Sequence, residues 1–406
     1  MLGTRLARHA ACSPRLDRHG GLSQDRGRII AGVCPVLASP RVSTDACPSA
    51  LTLHQAADGG LARIRIPGGL LSGQQWRALT ALAANAGDGN LHLTSRANVE
   101  IRGVSADIAA ALTDAGLLPS SSHERVRNIV ASPLAGIDGR GLFDVSALVP
   151  VLDAAIQADP WLGELSGRFL FGLDDGRGDI AALAADLTLY GRNRHTAAVL
   201  VAGVDIGVTV HWPDGPGLLV RAARAFLSLP DHGWRVSDHP DGIRAVASAL
   251  GGSALPAQVR VSGPTPLGFV GGEAAEIALV VGAEFGTFNN EQAYAIGEIS
   301  AIRITPWRSV VLPGLSVAHA VRLHRDLSHA GLAVDNSSPW RSVTACTGRP
   351  GCAKSLADVR ADARRTPAPP SDIPTHWSGC ERRCGHPHGE YRDVLATSTG
   401  YVMARR

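Results

Sequence analysis

Apolar and polar positions alternate with period two along Ala62-Arg63-Ile64-Arg65-Ile66, the pattern of a half-buried strand, and Pro67-Gly68-Gly69 stops it. Ser72 with Gln75 three residues on has the spacing of a capping box. Trp76, Leu79 and Leu82 then recur at helical spacing up to Gly87-Asp88-Gly89. Residues 91–94 and 99–101 alternate again on either side of Ser95-Arg96-Ala97-Asn98. The pattern predicts strand, helix, strand.

The same order returns two hundred residues later. A strand is predicted over 276–281, a break at Gly286, an N-cap at Asn289 with Gln292 in the same spacing, a helix to about Ser300, and strands over 302–305 and 310–314. Thr94 matches Thr305 and Gly103 matches Gly314, each pair nine residues apart within its copy. A half-domain of roughly 45 residues is too small to bury both faces of a sheet, so the copies should pair into one sheet covered by helices. In the ungapped register Trp307 takes the place of Arg96, and Arg308 follows its threonine one residue later. A one-residue shift changes the face of a strand, so the two halves should not bind alike.

Between the copies lie strand-like stretches at 168–173, 184–190, 197–204 and 206–212 and a helix near 218–229. The expected organisation is an α+β protein: an extension over 1–44, disordered, a first half-repeat over 45–120 and an α+β domain over 121–255. A second half-repeat over 256–325 and an α+β domain over 326–406 complete it.

Composition narrows the function. With 406 residues, 45% hydrophobic and 18% charged, the chain can bury a large core, and no run of about 18 uncharged apolar residues is available to span a bilayer. A net charge of +3 and 4% aromatics supply neither a basic field nor stacking platforms, which argues against nucleic acid. The single lysine, Lys354, removes the P-loop chemistry. No apolar core follows the Arg-rich start, so a cytoplasmic protein without a secretory signal is expected.

Four of the seven cysteines fall in two loops, Cys346-x5-Cys352 and Cys380-x3-Cys384, with 27 residues between the pairs. Four thiolates suit zinc or an iron–sulfur cluster. Structural zinc usually takes tighter knuckles, whereas cubane clusters accept wider spacing, and Gly348, Gly351 and Gly379 leave backbone N–H groups free to approach sulfur. A helix predicted over 355–363 would turn its positive end toward an anionic cluster. Cys12, Cys34 and Cys47 lack metal spacing and read as ordinary thiols, and Asp174-Asp175-Gly176 reads as a turn.

With these loops the sequence resembles the nitrite/sulfite reductase superfamily, and within it the precorrin-3B synthases of aerobic cobalamin biosynthesis. The resemblance runs from about residue 45 to the end, through ACPSALTLHQAADGGLARIRIPGG, LHLTSRANVEIRG, RVRNIVASPLAG, ITPWRSVVLPG, ACTGRPGCAKSLADVRADA and HWSGCERRCGHP. It implies two ferredoxin-like half-repeats in one central domain alternating with two α+β domains. It also implies a [4Fe–4S] cluster on Cys346, Cys352, Cys380 and Cys384, and a tetrapyrrole in the central cleft. By the same resemblance Arg65, Arg96, Asn98, Arg127, Asn128 and Arg168 contact the tetrapyrrole, whose acetate and propionate groups suit arginine forks.

Two departures from the reductases stand out. Their Lys-x-Lys proton donors are replaced by Arg168-Phe169-Leu170, and their Pro-Asn between the last cysteines by Glu381-Arg382-Arg383. Cys384 matches the cysteine that bridges cluster and sirohaem iron in the reductases. The resemblance implies oxygen-dependent hydroxylation of precorrin-3A at C20 with closure of a γ-lactone. The substrates would be precorrin-3A and O2, with an NADH-linked reductase or ferredoxin as electron donor. His376, His386 and His388 offer ligands for a mononuclear non-haem iron. The rival readings are a sirohaem-dependent nitrite or sulfite reductase and a non-catalytic zinc or electron-transfer protein.

Overall fold

The computed structural model describes residues 45, 47–254, 259–271, 277–296, 299–366, 371, 373–387 and 389–406. The expected N-terminal extension lies outside them, as do Cys12, Cys34 and His388.

The first half-repeat runs β1 (His54–Ala56), β2 (Gly59–Ile64), β3 (Leu70–Ser72), α1 (Gly73–Ala86), β4 (Asn90–Leu93), β5 (Val99–Val104) and α2 (Ala109–Asp114). The capping box forms as the spacing predicts: Gln75 N–H donates to Ser72 Oγ (3.1 Å) and Ser72 N–H to Gln75 Oε1 (3.0 Å). The helical repeat buries Trp76, Leu79 and Ala83 on one face of α1.

The next domain comprises β6 (Ile129–Ala131), α3 (Val149–Gln157), β7 (Phe171–Asp174), β8 (Leu187–Gly191), β9 (Thr196–Val201), β10 (Val204–His211), α4 (Gly215–Leu227) and α5 (Gly242–Ala249). Its sheet has the order β10-β9-β8-β7-β6, parallel from β6 to β8 and antiparallel from β8 to β10. β7 and β8 are buried along their length, as parallel strands covered on both faces must be. Ala202 and Gly203, both at positive φ, make the two-residue turn of the β9–β10 hairpin.

The second half-repeat runs β11 (Gly268–Gly271), β12 (Ile277–Gly282), β13 (Thr287–Asn289), α6 (Asn290–Ala295), β14 (Ala301–Ile304), β15 (Ser309–Leu315) and α7 (Val317–His329). Its helix is shorter than the spacing predicts, ending at Ala295. Thr94 and Thr305 occupy equivalent turns: each donates its own N–H to the carbonyl four residues on, of Asn98 or Ser309, and the residue before that partner, Ala97 or Arg308, is left-handed.

The expectation of one sheet is corrected. β3 pairs with β14 and β13 with β4, so two five-stranded sheets form, each built from four strands of one half and one short strand of the other. The cause is the kink before each short strand, Gly68-Gly69 in one half and Phe285-Gly286 in the other, all at positive φ, which carries the chain off its own sheet. A Cβ at Gly69 would stand 2.0 Å from the Ile304 carbonyl oxygen, so only glycine fits there. One core spans both halves. Within it Trp76 meets Phe288 edge-on at 5.8 Å and donates its indole N–H to the Ala293 carbonyl (3.0 Å).

The last domain is β16 (Val343–Ala345), α8 (Val359–Arg365), β17 (Thr375–Ser378), β18 (Arg392–Thr397) and β19 (Gly400–Arg405), in the order β16-β17-β18-β19. Here too the helix differs from expectation, starting at Val359 rather than Ser355. Asp358 caps it by accepting from Ala361 N–H. The preceding backbone is used by the cysteine loops, with Leu356 N–H donating to Gly379 O and Arg349 N–H to Ala357 O. The seven-residue helix thus begins four residues later than the sequence suggests.

Candidate functional site

The cysteine loops leave the C-terminal ends of adjacent parallel strands, which sets them side by side: Cys346 directly follows β16, and Cys380 follows β17 with Gly379 between. Cys346 N–H donates to Trp377 O (3.0 Å), Cys352 N–H to Gly348 O (2.8 Å), and Gly379 N–H to Cys346 Sγ (3.2 Å). A Cβ at Gly379 would meet Ser355 Oγ at 1.9 Å, so the close approach of the loops requires glycine.

All four thiols feel one another. Burial pushes the Cys346 and Cys384 thiols up, and the charges of the other cysteines add to it, so deprotonating the set calls for a cationic centre among them. Four thiols on two adjacent loops, one of them already accepting a backbone N–H from Gly379, suit a cationic metal centre.

Arginines fix these loops from several sides. Arg102 on β5 donates to Gly351 O (3.2 Å), Arg360 to Cys346 O (3.2 Å), and Arg308 to Gly385 O (2.7 Å). The Glu381-Arg382-Arg383 departure has a structural explanation. Arg383 turns back to bind the buried Asp393 (2.6 Å) and Glu381 (2.6 Å), and Arg406 reaches the same Asp393 oxygen (2.9 Å).

The second part of the site is an arginine pocket. Arg65, just past the end of β2, is 2% exposed; its Nε donates to Arg125 O (3.1 Å), but Nη1 and Nη2 have no partner among the described residues. Burial and the nearby Arg63 and Arg96 push it down to about 9. Arg96, in the β4–β5 turn, donates only a long bond to Gly167 O (3.4 Å), and burial with Arg235 and Arg63 pushes it down to about 10. Guanidinium groups that repel one another and pair with no carboxylate suit anions.

The remaining predicted contacts divide. Arg168 stands at the surface with its guanidinium 4.1 Å over the Trp234 ring, a cation–π stack that leaves it facing solvent. Arg127 departs from expectation: it forms a two-bond fork on Asp153 (2.7 and 2.8 Å) and so ties the domain to α3 instead of offering a free fork. Asn98 and Asn128 are fasteners. Asn98 accepts from Ile66 N–H (2.8 Å) and donates to Asn128 (3.1 Å), which donates to Gly167 O (2.8 Å). They hold the ends of the Arg65 and Arg96 segments together.

His376 is buried in β17 with Nδ1 2.8 Å from Thr344 Oγ1, and burial with Arg308 pushes it down to about 3, so it is neutral. His386 stacks on Tyr391. Among the described residues no three ligand atoms that include a histidine come together as a mononuclear iron site would need. Asp45, Cys47, Trp234 and Arg235, which also stand at the arginine pocket or its edge, went unpredicted because they come from separate segments with no common spacing.

The chain thus sets two half-repeats that exchange short strands beside two further sheet domains, the last carrying four cysteines, and in this fold it is similar to known proteins. The model of the nitrite/sulfite reductase ferredoxin-like half domain matches residues 54–115. The structure of the NirA protein of Mycobacterium tuberculosis superposes with a TM-score of 0.69 at 19% identity, over 85% of this chain and 73% of that one. Among curated proteins, the chain is 27% identical over 389 residues to a precorrin-3B synthase of a Sinorhizobium species, covering 88% of this chain and 82% of the relative. It is 26% identical over 382 residues to a ferredoxin–nitrite reductase of Synechococcus elongatus, covering 80% and 74%. The resemblance to the superfamily, and to precorrin-3B synthase within it, thus holds along most of the chain. Among the described residues no helix is long and apolar enough to cross a membrane.

Proposed function

We propose that this chain is a precorrin-3B synthase, hydroxylating precorrin-3A at C20 with O2 and closing an acetate side chain into a γ-lactone. The observation that carries the reading against anion reduction is the state of Arg168-Phe169-Leu170. Leu170 is in the core, 1% exposed, and Arg168 is a permanently charged group stacked on Trp234. Neither can deliver the protons that reduction of nitrite or sulfite consumes.

Cys346, Cys352, Cys380 and Cys384 would hold the [4Fe–4S] cluster, which when bound supplies electrons one at a time. The monooxygenation balances with one oxygen atom added at C20 as the hydroxyl, while the acetate oxygen bonds to the adjacent ring carbon to close the lactone and its carboxyl proton becomes the hydroxyl hydrogen. The other oxygen atom of O2 leaves as water, using two electrons and two protons from an external donor such as a ferredoxin or an NADH-linked reductase. Arg65 and Arg96 take carboxylates of the tetrapyrrole, and their pairing with the ligand replaces the solvation that burial removed. Asn98 and Asn128 keep the two arginine segments in register. Arg168 reaches a peripheral carboxylate from the rim.

The test is a visible spectrum and tetrapyrrole extraction on protein purified anaerobically from cells able to make sirohaem. A cluster spectrum with no sirohaem is expected. Stoichiometric sirohaem would favour the ferredoxin–nitrite reductase reading, which the Synechococcus relative and the position of Cys384 keep as the alternative.

A further inference from the structure

We propose that Cys47 is a wall residue of the arginine pocket and touches the bound ligand. This rests on the tetrapyrrole reading above. The thiol lies outside both cysteine loops, and its spacing marks it as unremarkable.

Its position is held from both sides. Asp45 accepts from Ser166 Oγ (2.8 Å) and Gly167 N–H (2.7 Å) and from Cys47's own N–H (3.1 Å). Beyond the thiol, Arg63 N–H donates to Ser49 O (3.4 Å) and Ala50 N–H to Glu124 (3.4 Å). Asp45 thereby lies against the 166–168 loop and Ser49 against β2. A Cβ built on Gly167 would stand 3.0 Å from Cys47 Cβ, 3.3 Å from Arg65 Nη2 and 3.4 Å from Asp45 Oδ2, so these three groups flank one point.

The independent sign of a ligand is Arg65, whose two terminal nitrogens are buried and unpartnered beside that point. The thiol lies near Arg63, Arg65 and Arg96; Arg63 is paired with Glu100 (2.8 Å), while neither Arg65 nor Arg96 forms an ion pair among the described residues. Burial and Asp45 keep the thiol protonated, so it leaves the guanidinium charge for an incoming anion. A carboxylate that satisfies both Arg65 nitrogens must lie about 2.7–2.9 Å from them and comes against Cys47. A residue bearing its own carboxylate at this position would instead close the pocket from within.

Uroporphyrin, a tetrapyrrole polycarboxylate, is the probe, applied to the cluster-loaded protein under anaerobic conditions. Peptide mapping should show that bound uroporphyrin slows iodoacetamide alkylation of Cys47 by about tenfold or more. Cys47→Ser should bind within about twofold of the parent, whereas Cys47→Asp should lose about tenfold in affinity, or about 1.4 kcal/mol, with the melting temperature raised. Unchanged alkylation in the uroporphyrin complex, or parental affinity in a folded Cys47→Asp, would overturn the assignment while leaving the tetrapyrrole reading intact. Failure of the parent protein to bind uroporphyrin would overturn both. The alkylation measurement needs no variant, so a misfolded substitution does not spare the proposal.

Discussion

Arg102 of the first half-repeat holds Asp58 with two bonds (2.7 and 2.9 Å) and with the same guanidinium donates to the Gly351 carbonyl, 3.2 Å away, in the loop that ends at Cys352. The central domain thus reaches directly into the cysteine loops. Arg102→Ala should leave the fold in place but free the loop, at a cost of about 1.5–3 kcal/mol for hydrogen bonds from a charged group. The expected result is several-fold faster bleaching of the visible cluster absorbance under chelator, with unchanged far-ultraviolet dichroism. Parental bleaching rates would show that the contact does not hold the loop.

The two halves are locked by Trp76, which is 1% exposed and bonded across to Ala293. Trp76→Ala removes a large side chain and its hydrogen bond from the shared core and should destabilise the protein by about 3–5 kcal/mol. Urea unfolding followed at separate probes in the two halves should shift together. Independent shifts would mean that the halves do not share one core.

Arg65 carries an unpaired charge in the interior, a cost the free protein bears and a ligand relieves. Arg65→Met should therefore raise the melting temperature, by the equivalent of roughly 1–3 kcal/mol, and weaken tetrapyrrole binding by about tenfold or more. Calorimetry and fluorescence titration read the two effects separately. A destabilised variant would indicate that Arg65 serves the fold.

The half-repeat was legible because its signals are local. The capping boxes at Ser72 and Asn289, the strand alternation and the matched threonines each lie within a few residues, and the register they set recurs in the left-handed Ala97 and Arg308. The exchange of β3 and β13 was not legible, since a three-residue strand carries no sign of which sheet it joins. The same limit governed the site. The cysteine loops are contiguous motifs, and the structure sets them together. The fate of Arg127, by contrast, depended on Asp153, and that of Arg168 on Trp234, partners set by tertiary packing. The 355–363 helix was misplaced because its first residues serve the cysteine loops, a use that helical periodicity does not reveal.

Asp174 at the end of β7 and Asp175 and Asp179 in the loop after it lie together. Asp174 accepts four backbone N–H groups, from Gly176, Gly178, Ile180 and Ala181, which oppose the upward push that burial and Asp175 give its carboxyl. Burial and the neighbouring Asp174 push Asp179 up to about 7. The folded protein thus keeps that proton to higher pH than the unfolded chain does. The stability it contributes is present below about pH 4 and lost as the pH rises through about 7. Asp179→Asn, which retains an acceptor for the Ser132 hydroxyl (2.6 Å), should flatten the fall in melting temperature between pH 5 and pH 8. An unchanged slope would place the titration elsewhere.

Precorrin-3A oxidation tests the function most directly. The cluster-loaded protein, a reductant and isotopically heavy dioxygen are mixed with precorrin-3A, and the product is weighed by mass spectrometry. One heavy oxygen atom in the tetrapyrrole, with its partner recovered in water, is the predicted result. An unmodified tetrapyrrole, together with reductant-dependent conversion of nitrite or sulfite by the sirohaem-loaded protein, would contradict it.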